Sequence, residues 1–149
     1  MLKKVSIILV LVIAALGVFL FQSGKIYSLF QKDIVFYNAK SECDLHASTC
    51  EVVLEDKKIT LDIDKPIKAG EEMTFNIQTD GFEDDELLAQ IYGINMNMGI
   101  FEYILKKTDN KNYQGKALVP ACMMGKMSWQ VNIISKRENI GASFVLELL

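Results

Sequence analysis

Histidine occurs once in the 149 residues, at position 46. A single imidazole cannot build a His-rich zinc centre, so hydrolytic chemistry of that kind is excluded. The chain has no Gly-x-Ser-x-Gly, no Walker-type phosphate loop and no dinucleotide fingerprint. Cys-x-x-Cys is also missing, which leaves thioredoxin-like exchange without its motif. Basic residues form no run longer than a pair such as Lys3-Lys4. Removing that pair from the sixteen Lys and Arg leaves 14 against 19 Asp and Glu, a formal charge of −5 for the rest of the chain. Such a surface repels nucleic acid and suits an anionic bilayer no better. No amphipathic helical pattern and no internal repeat is visible. An enzyme is not expected.

What is present begins with apolar length. Ile7 to Phe21 is fifteen consecutive apolar or glycine residues, and Val5 extends the run to seventeen with Ser6 as its interruption. This is near the lower limit of about 17 residues for a bilayer-spanning helix. Lys3 and Lys4 precede it, so the positive-inside bias orients the N-terminus to the cytoplasm. No small-x-small pair follows for signal cleavage, since Phe21 would occupy the −3 position for cleavage after Ser23. No cysteine follows to carry a lipid. The expectation is an uncleaved anchor over 1–23, a juxtamembrane linker over 24–33 and an exported domain over 34–149. That places the protein in the inner (cytoplasmic) membrane as a single-pass chain, its C-terminal domain in the periplasm.

From Ile34 the pattern is β. Ile59, Leu61 and Ile63 alternate with polar residues, as do Met73, Phe75 and Ile77, then Met127, Trp129, Val131 and Ile133. Phe144, Leu146 and Leu148 close the chain in the same way. Leu87 to Met98 reads as one strand with Tyr92, Ile94, Met96 and Met98 on its core face. Seven to nine short strands predict an all-β fold, an antiparallel sandwich. The acidic run Glu83-Asp84-Asp85-Glu86 lacks calcium-loop spacing and reads as a solvated loop.

Six residues separate Cys43 from Cys50, which in an oxidising compartment favours a local disulfide closing a hairpin. Three connectivities are open, and this one is the shortest. Cys122 then remains as an odd thiol in a loop after Pro120. His46 lies between the paired cysteines, far in sequence from the methionines.

Five of the seven methionines fall in two short stretches, Met96-Asn97-Met98-Gly99 and Cys122-Met123-Met124-Gly125-Lys126-Met127. Thioethers and thiolates are soft donors, and soft donors select Cu(I). Methionine is also an ordinary filler of core gaps. Met96 and Met98 share a strand face, and Met127 is in phase with Trp129, so all three fit a core. Gly99 and Gly125 argue otherwise, because both stretches lie where a strand meets a turn, at a rim. Met123 and Met124 are adjacent and cannot both point inward.

An N-terminal anchor followed by Met96-x-Met98-Gly99, Tyr113-Gln-Gly115, a Pro120 loop and Gly125-Lys-Met-Ser-Trp129 resembles the FixH/YtkA-like family of exported bacterial domains. The resemblance covers about residues 70–135. It implies an immunoglobulin-like sandwich associated with copper handling and assembly of haem-copper oxidases. By position, Met96 and Met98 match the family's methionine motif, and Trp129 its tryptophan.

Together these readings predict a membrane-anchored β-sandwich binding Cu(I) through Met96, Met98, Met127 and Cys122, with Met123 and Met124 as auxiliary donors. Its partner would be an inner-membrane complex or a copper-transfer protein. The alternative is a non-metal interaction module tethered beside a membrane complex. A redox partner working through Cys122 is a third.

Overall fold

The computed structural model describes residues 6, 9–10, 12–15, 33–40, 42–121 and 125–148. Contacts divide the chain into two units, Met1–Asp33 and Ile34–Leu149. In the first, residues 6, 9–10 and 12–15 are helical. Among the described residues no helix is long and apolar enough to cross a membrane. The remainder of the apolar run and the linker up to residue 32 lie outside the described residues.

The second unit is all β. Its strands are β1 (Val35–Asn38), β2 (Cys50–Leu54), β3 (Lys57–Ile63), β4 (Glu72–Asp80), β5 (Glu86–Gly93), β6 (Ile100–Lys107), β7 (Asn112–Leu118), β8 (Met127–Ser135) and β9 (Ile140–Leu148). They form one nine-stranded sheet in the order β1-β9-β8-β5-β6-β7-β4-β3-β2. Between β6 and β7 the pairing shrinks to Lys106–Gln114 and Lys107–Tyr113, so the sheet folds there into two halves. Its far edges approach one another, and Tyr37 Oη on β1 donates to Glu55 Oε1 beyond β2 at 3.2 Å. The result is nearly a barrel. One pair, β1 with β9, is parallel. Pairing direction leaves no trace in a four-residue strand, and the sequence does not reveal it.

The alternating runs became the core for the reason the pattern suggests: period-two side chains put every second residue on one face. Ile59, Leu61, Phe75, Ile77, Trp129, Val131 and Phe144 are all buried. β2 went unread in the sequence, although Cys50, Val52 and Leu54 alternate inward against Glu51 and Val53. β5 differs in phase and length. Leu87, Ala89 and Ile91 face the core, Tyr92 is half-buried, and the strand stops at Gly93. Ile94, expected inside, is 51% exposed.

Cys43 and Cys50 form a disulfide with Cα atoms 5.7 Å apart. It closes a coil of turns leading into β2, not a hairpin. Asp44 organises that coil, its Oδ1 accepting from His46 N at 2.9 Å and its carbonyl from Ala47 N and Ser48 N at 3.1 and 3.0 Å. Leu45 plugs it into the core at 1% exposure. Restricting a loop of about eight residues in the unfolded chain stabilises by about 2.5 kcal/mol in the chain-entropy model. Cys43→Ser is therefore expected to lower the unfolding free energy in urea by about that amount. An unchanged midpoint under oxidising conditions would show that the bond contributes nothing.

The acidic run is not wholly solvated. Asp84 is 6% exposed. Its carboxyl oxygens accept from Ser135 Oγ at 2.9 and 3.0 Å, and Oδ1 from Arg137 N at 3.4 Å. Its carbonyl accepts from Tyr113 Oη at 2.7 Å. Desolvation, with Asp84 nearby, raises the Tyr113 phenol above its ordinary value. At the β6–β7 turn Asp109 stays outside, holding Asn112 and the Lys111 amide. The Asn112 side chain, then the Lys111 backbone, pull its carboxyl below the usual range.

Candidate functional site

Met96 and Met98, 31 and 29 residues before Met127 in sequence, lie at the same end of the domain as the start of β8. Met96 and Met98 lie in the β5–β6 loop, both half-buried and packed against the core. Met127 is the first residue of β8 and is 3% exposed. Cys122, Met123 and Met124 lie outside the described residues.

Backbone pairing brings the stretches together. Gly93 is opposite Trp129, so the chain leaving β5 runs beside the start of β8. Ile94 N then donates to Ser128 O at 2.8 Å. Asn95 adds a side-chain clamp, Nδ2 donating to Lys126 O at 3.5 Å and Oδ1 accepting from Ser128 N at 3.3 Å. At the loop tip, Asn97 Oδ1 accepts from Gly99 N at 3.1 Å. Gly99 sits at φ +85°, a left-handed conformation that glycine adopts without steric cost.

Beneath the loop is an aromatic floor. Trp129 is fully buried, with Phe101 tilted against it at a centroid separation of 6.3 Å. Among the described residues the indole Nε1 has no hydrogen-bond partner. Lys126, at the rim, pairs with Glu147 at 2.5 Å. His46 reaches the same end of the domain, its Nε2 2.6 Å from Glu147 O. Among the described residues no group of three or more His, Cys, Asp or Glu is placed to hold a metal.

Two residues of this arrangement escaped the sequence reading. Asn95 had no pattern to mark it. Gly93 had a legible signal, a glycine ending an apolar strand, and its reason is steric. A Cβ there would collide with the Met96 carbonyl oxygen and stand 3.2 Å from Met127 Cε. Gly93→Ala therefore has to push the Met96 backbone away, at an expected cost of about 1–3 kcal/mol. Urea unfolding checks this, and wild-type stability in the variant would refute the packing described.

No model of a known protein family matches the chain, and no curated protein does.

Proposed function

We propose that the protein is a membrane-anchored, extracytoplasmic immunoglobulin-like domain that holds Cu(I) through methionine sulfurs at the β5–β6/β8 rim. The observation that carries this reading is the abutment of loop 94–99 on residues 126–128, which gathers Met96, Met98 and Met127 at one edge of the core. Three thioethers, neutral at every pH, favour the cuprous state and release it by ligand exchange. Cys122, Met123 and Met124 complete the donor set in this reading. Accessory or transfer work suits such a site better than catalysis.

The immunoglobulin-like assignment is supported by strand order. β3-β4-β7 form one group and β9-β8-β5-β6 the other, with the β4–β5 and β7–β8 links each crossing between them. The Cys43–Cys50 disulfide supports an oxidising compartment outside the cytoplasm. Within the FixH/YtkA-like resemblance, the partner is an inner-membrane respiratory-oxidase complex or a protein that receives copper. The second reading, an interaction module without metal, is favoured by the exposure of Ile94 and Ile100 beside the same loop.

The test is an anaerobic cuprous titration of the full-length chain in detergent against a competing chelator. Stoichiometric binding is expected, and the triple variant Met96→Leu, Met98→Leu, Met127→Leu should lose it. Leucine conserves volume, so each change costs less than about 1.5 kcal/mol and the fold survives. Failure of the wild type to take up copper at micromolar metal would overturn the copper reading and leave the interaction module.

A further inference from the structure

A groove of about 960 Å³ opens at the methionine end of the domain. The disulfide coil contributes Cys43, Leu45 and His46 to its lining, and Ile67, Lys126 and Glu147 come from the segments around it. The two sulfurs of the disulfide are placed unequally. Cys43 is half-buried and lines the groove, whereas Cys50 is 1% exposed and sits in the core. Thiol–disulfide exchange depends on which sulfur an incoming thiolate reaches. Access here favours Cys43 as the sulfur attacked and Cys50 as the one that leaves.

A continuous path ties the coil to the methionine loop. His46 Nε2 lies 2.6 Å from Glu147 O on β9. The Glu147 carboxylate pairs with Lys126, and its backbone stands opposite Ser128 on β8. Lys126 and Ser128 are the residues that grip loop 94–99. Ser128 O accepts from Ile94 N at 2.8 Å, and Lys126 O accepts from Asn95 Nδ2 at 3.5 Å. Met96 and Met98 follow in the same loop. Contiguous packed and hydrogen-bonded groups of this kind are what carry coupling between two sites.

We propose that the Cys43–Cys50 disulfide is a redox switch for loop 94–99, opened through this groove by a dithiol of a partner protein. One thiolate of the dithiol attacks Cys43 Sγ, the S–S bond breaks, and Cys50 leaves as a thiolate that takes up a proton. The second thiolate then displaces Cys43 from the mixed disulfide, and Cys43 is protonated in turn. Two electrons and two protons pass to the chain, and the donor ends as a disulfide. A buried thiol packs as a small apolar group, so the reduced domain keeps its core. The covalent tie between the start of the coil and β2 is gone. His46 then spends less time against Glu147, and the β8 edge that grips the loop loosens with it. Redox changes of a disulfide act in this way, by biasing a nearby two-state element. The inference is independent of copper, because it uses the groove and these contacts alone.

The test uses the full-length Cys122→Ser chain in detergent, oxidised or treated anaerobically with dithiothreitol. After reduction, timed alkylation with iodoacetamide should label Cys43 about tenfold faster than Cys50, in keeping with their exposure. Hydrogen–deuterium exchange across residues 94–99 should rise about tenfold on reduction, a usual size for coupled sites, with β4 unchanged. His46→Ala, with the disulfide intact, should open the loop to a similar degree, and reduction should then add little. A disulfide that dithiothreitol leaves intact in the folded chain overturns the proposal, as does equal labelling of the two cysteines. A loop indifferent to reduction overturns it as well. Exchange that rises equally in β4 and the loop is plain destabilisation and also overturns it. If the loop of His46→Ala stays closed until the disulfide is reduced, the route through Glu147 is wrong.

Discussion

Trp129→Ala is expected to destabilise the protein by about 3–5 kcal/mol, the usual cost of emptying a buried tryptophan site. For a domain of this size that corresponds to a melting temperature lower by roughly 10–20 °C. The reasons are local. Trp129 is wholly buried, stands on the strand between Met127 and Val131, and carries Phe101 against its ring. The sheet around it is paired on both sides, Gly93 on β5 and Leu146 on β9, so the backbone has little freedom to collapse into the hole. Trp129→Phe makes the argument sharper. Phenylalanine loses volume, but it also removes a buried indole N–H that has no partner among the described residues. Burying such a donor costs about 1–3 kcal/mol, so its removal offsets part of the lost packing. The Phe variant should therefore lose less than half of what the Ala variant loses. Equal losses in differential scanning calorimetry would mean that the orphaned N–H carries no penalty.

Asp84→Ala is expected to cost about 3 kcal/mol, although the residue sits in a sequence that looks like a solvated acidic loop. Two oxygens of its carboxyl group hold the Ser135 hydroxyl, and one also receives the Arg137 amide. Ser135 Oγ in turn accepts from Glu138 N at 3.1 Å. One side chain thus pins the β4–β5 connection to the β8–β9 turn. Hydrogen bonds to a carboxylate are worth about 1.5–3 kcal/mol, and deleting the acceptor leaves a buried hydroxyl and an amide short of a partner. Asp84→Asn keeps the shape and one acceptor oxygen, so it should recover roughly half of the loss. Neighbouring Glu83 and Glu86 are exposed, and alanine there should fall within about 0.5 kcal/mol of wild type. If Glu83→Ala, Glu86→Ala and Asp84→Ala unfolded at the same urea concentration, the network would have no energetic weight.

The sequence by itself determined that this domain is all β and which residues form most of its core. Alternation on β3, β4, β8 and β9 is a local property, written in steps of two, and the pleat converts it directly into a buried face. The Cys43–Cys50 pairing was legible for a similar reason, since short loops close most readily. The phase of β5 was misjudged because apolar residues occupy both parities up to Tyr92, while past Gly93 Ile94, Met96 and Met98 continue on the even one alone. The strand ends at Gly93, where the Met96 carbonyl and the Met127 side chain from β8 leave no room for a Cβ. The burial of Asp84 depends on Ser135, 51 residues away, and nothing in four consecutive acids distinguishes the second from the rest. The approach of the loop after β5 to the start of β8 is likewise long-range. The pairing of β5 with β8 is what brings the end of one strand beside the start of the other. Periodicity is local and survives in the sequence. Register, strand order and the partners of a lone polar side chain are set by packing between distant segments, and tertiary structure decides them.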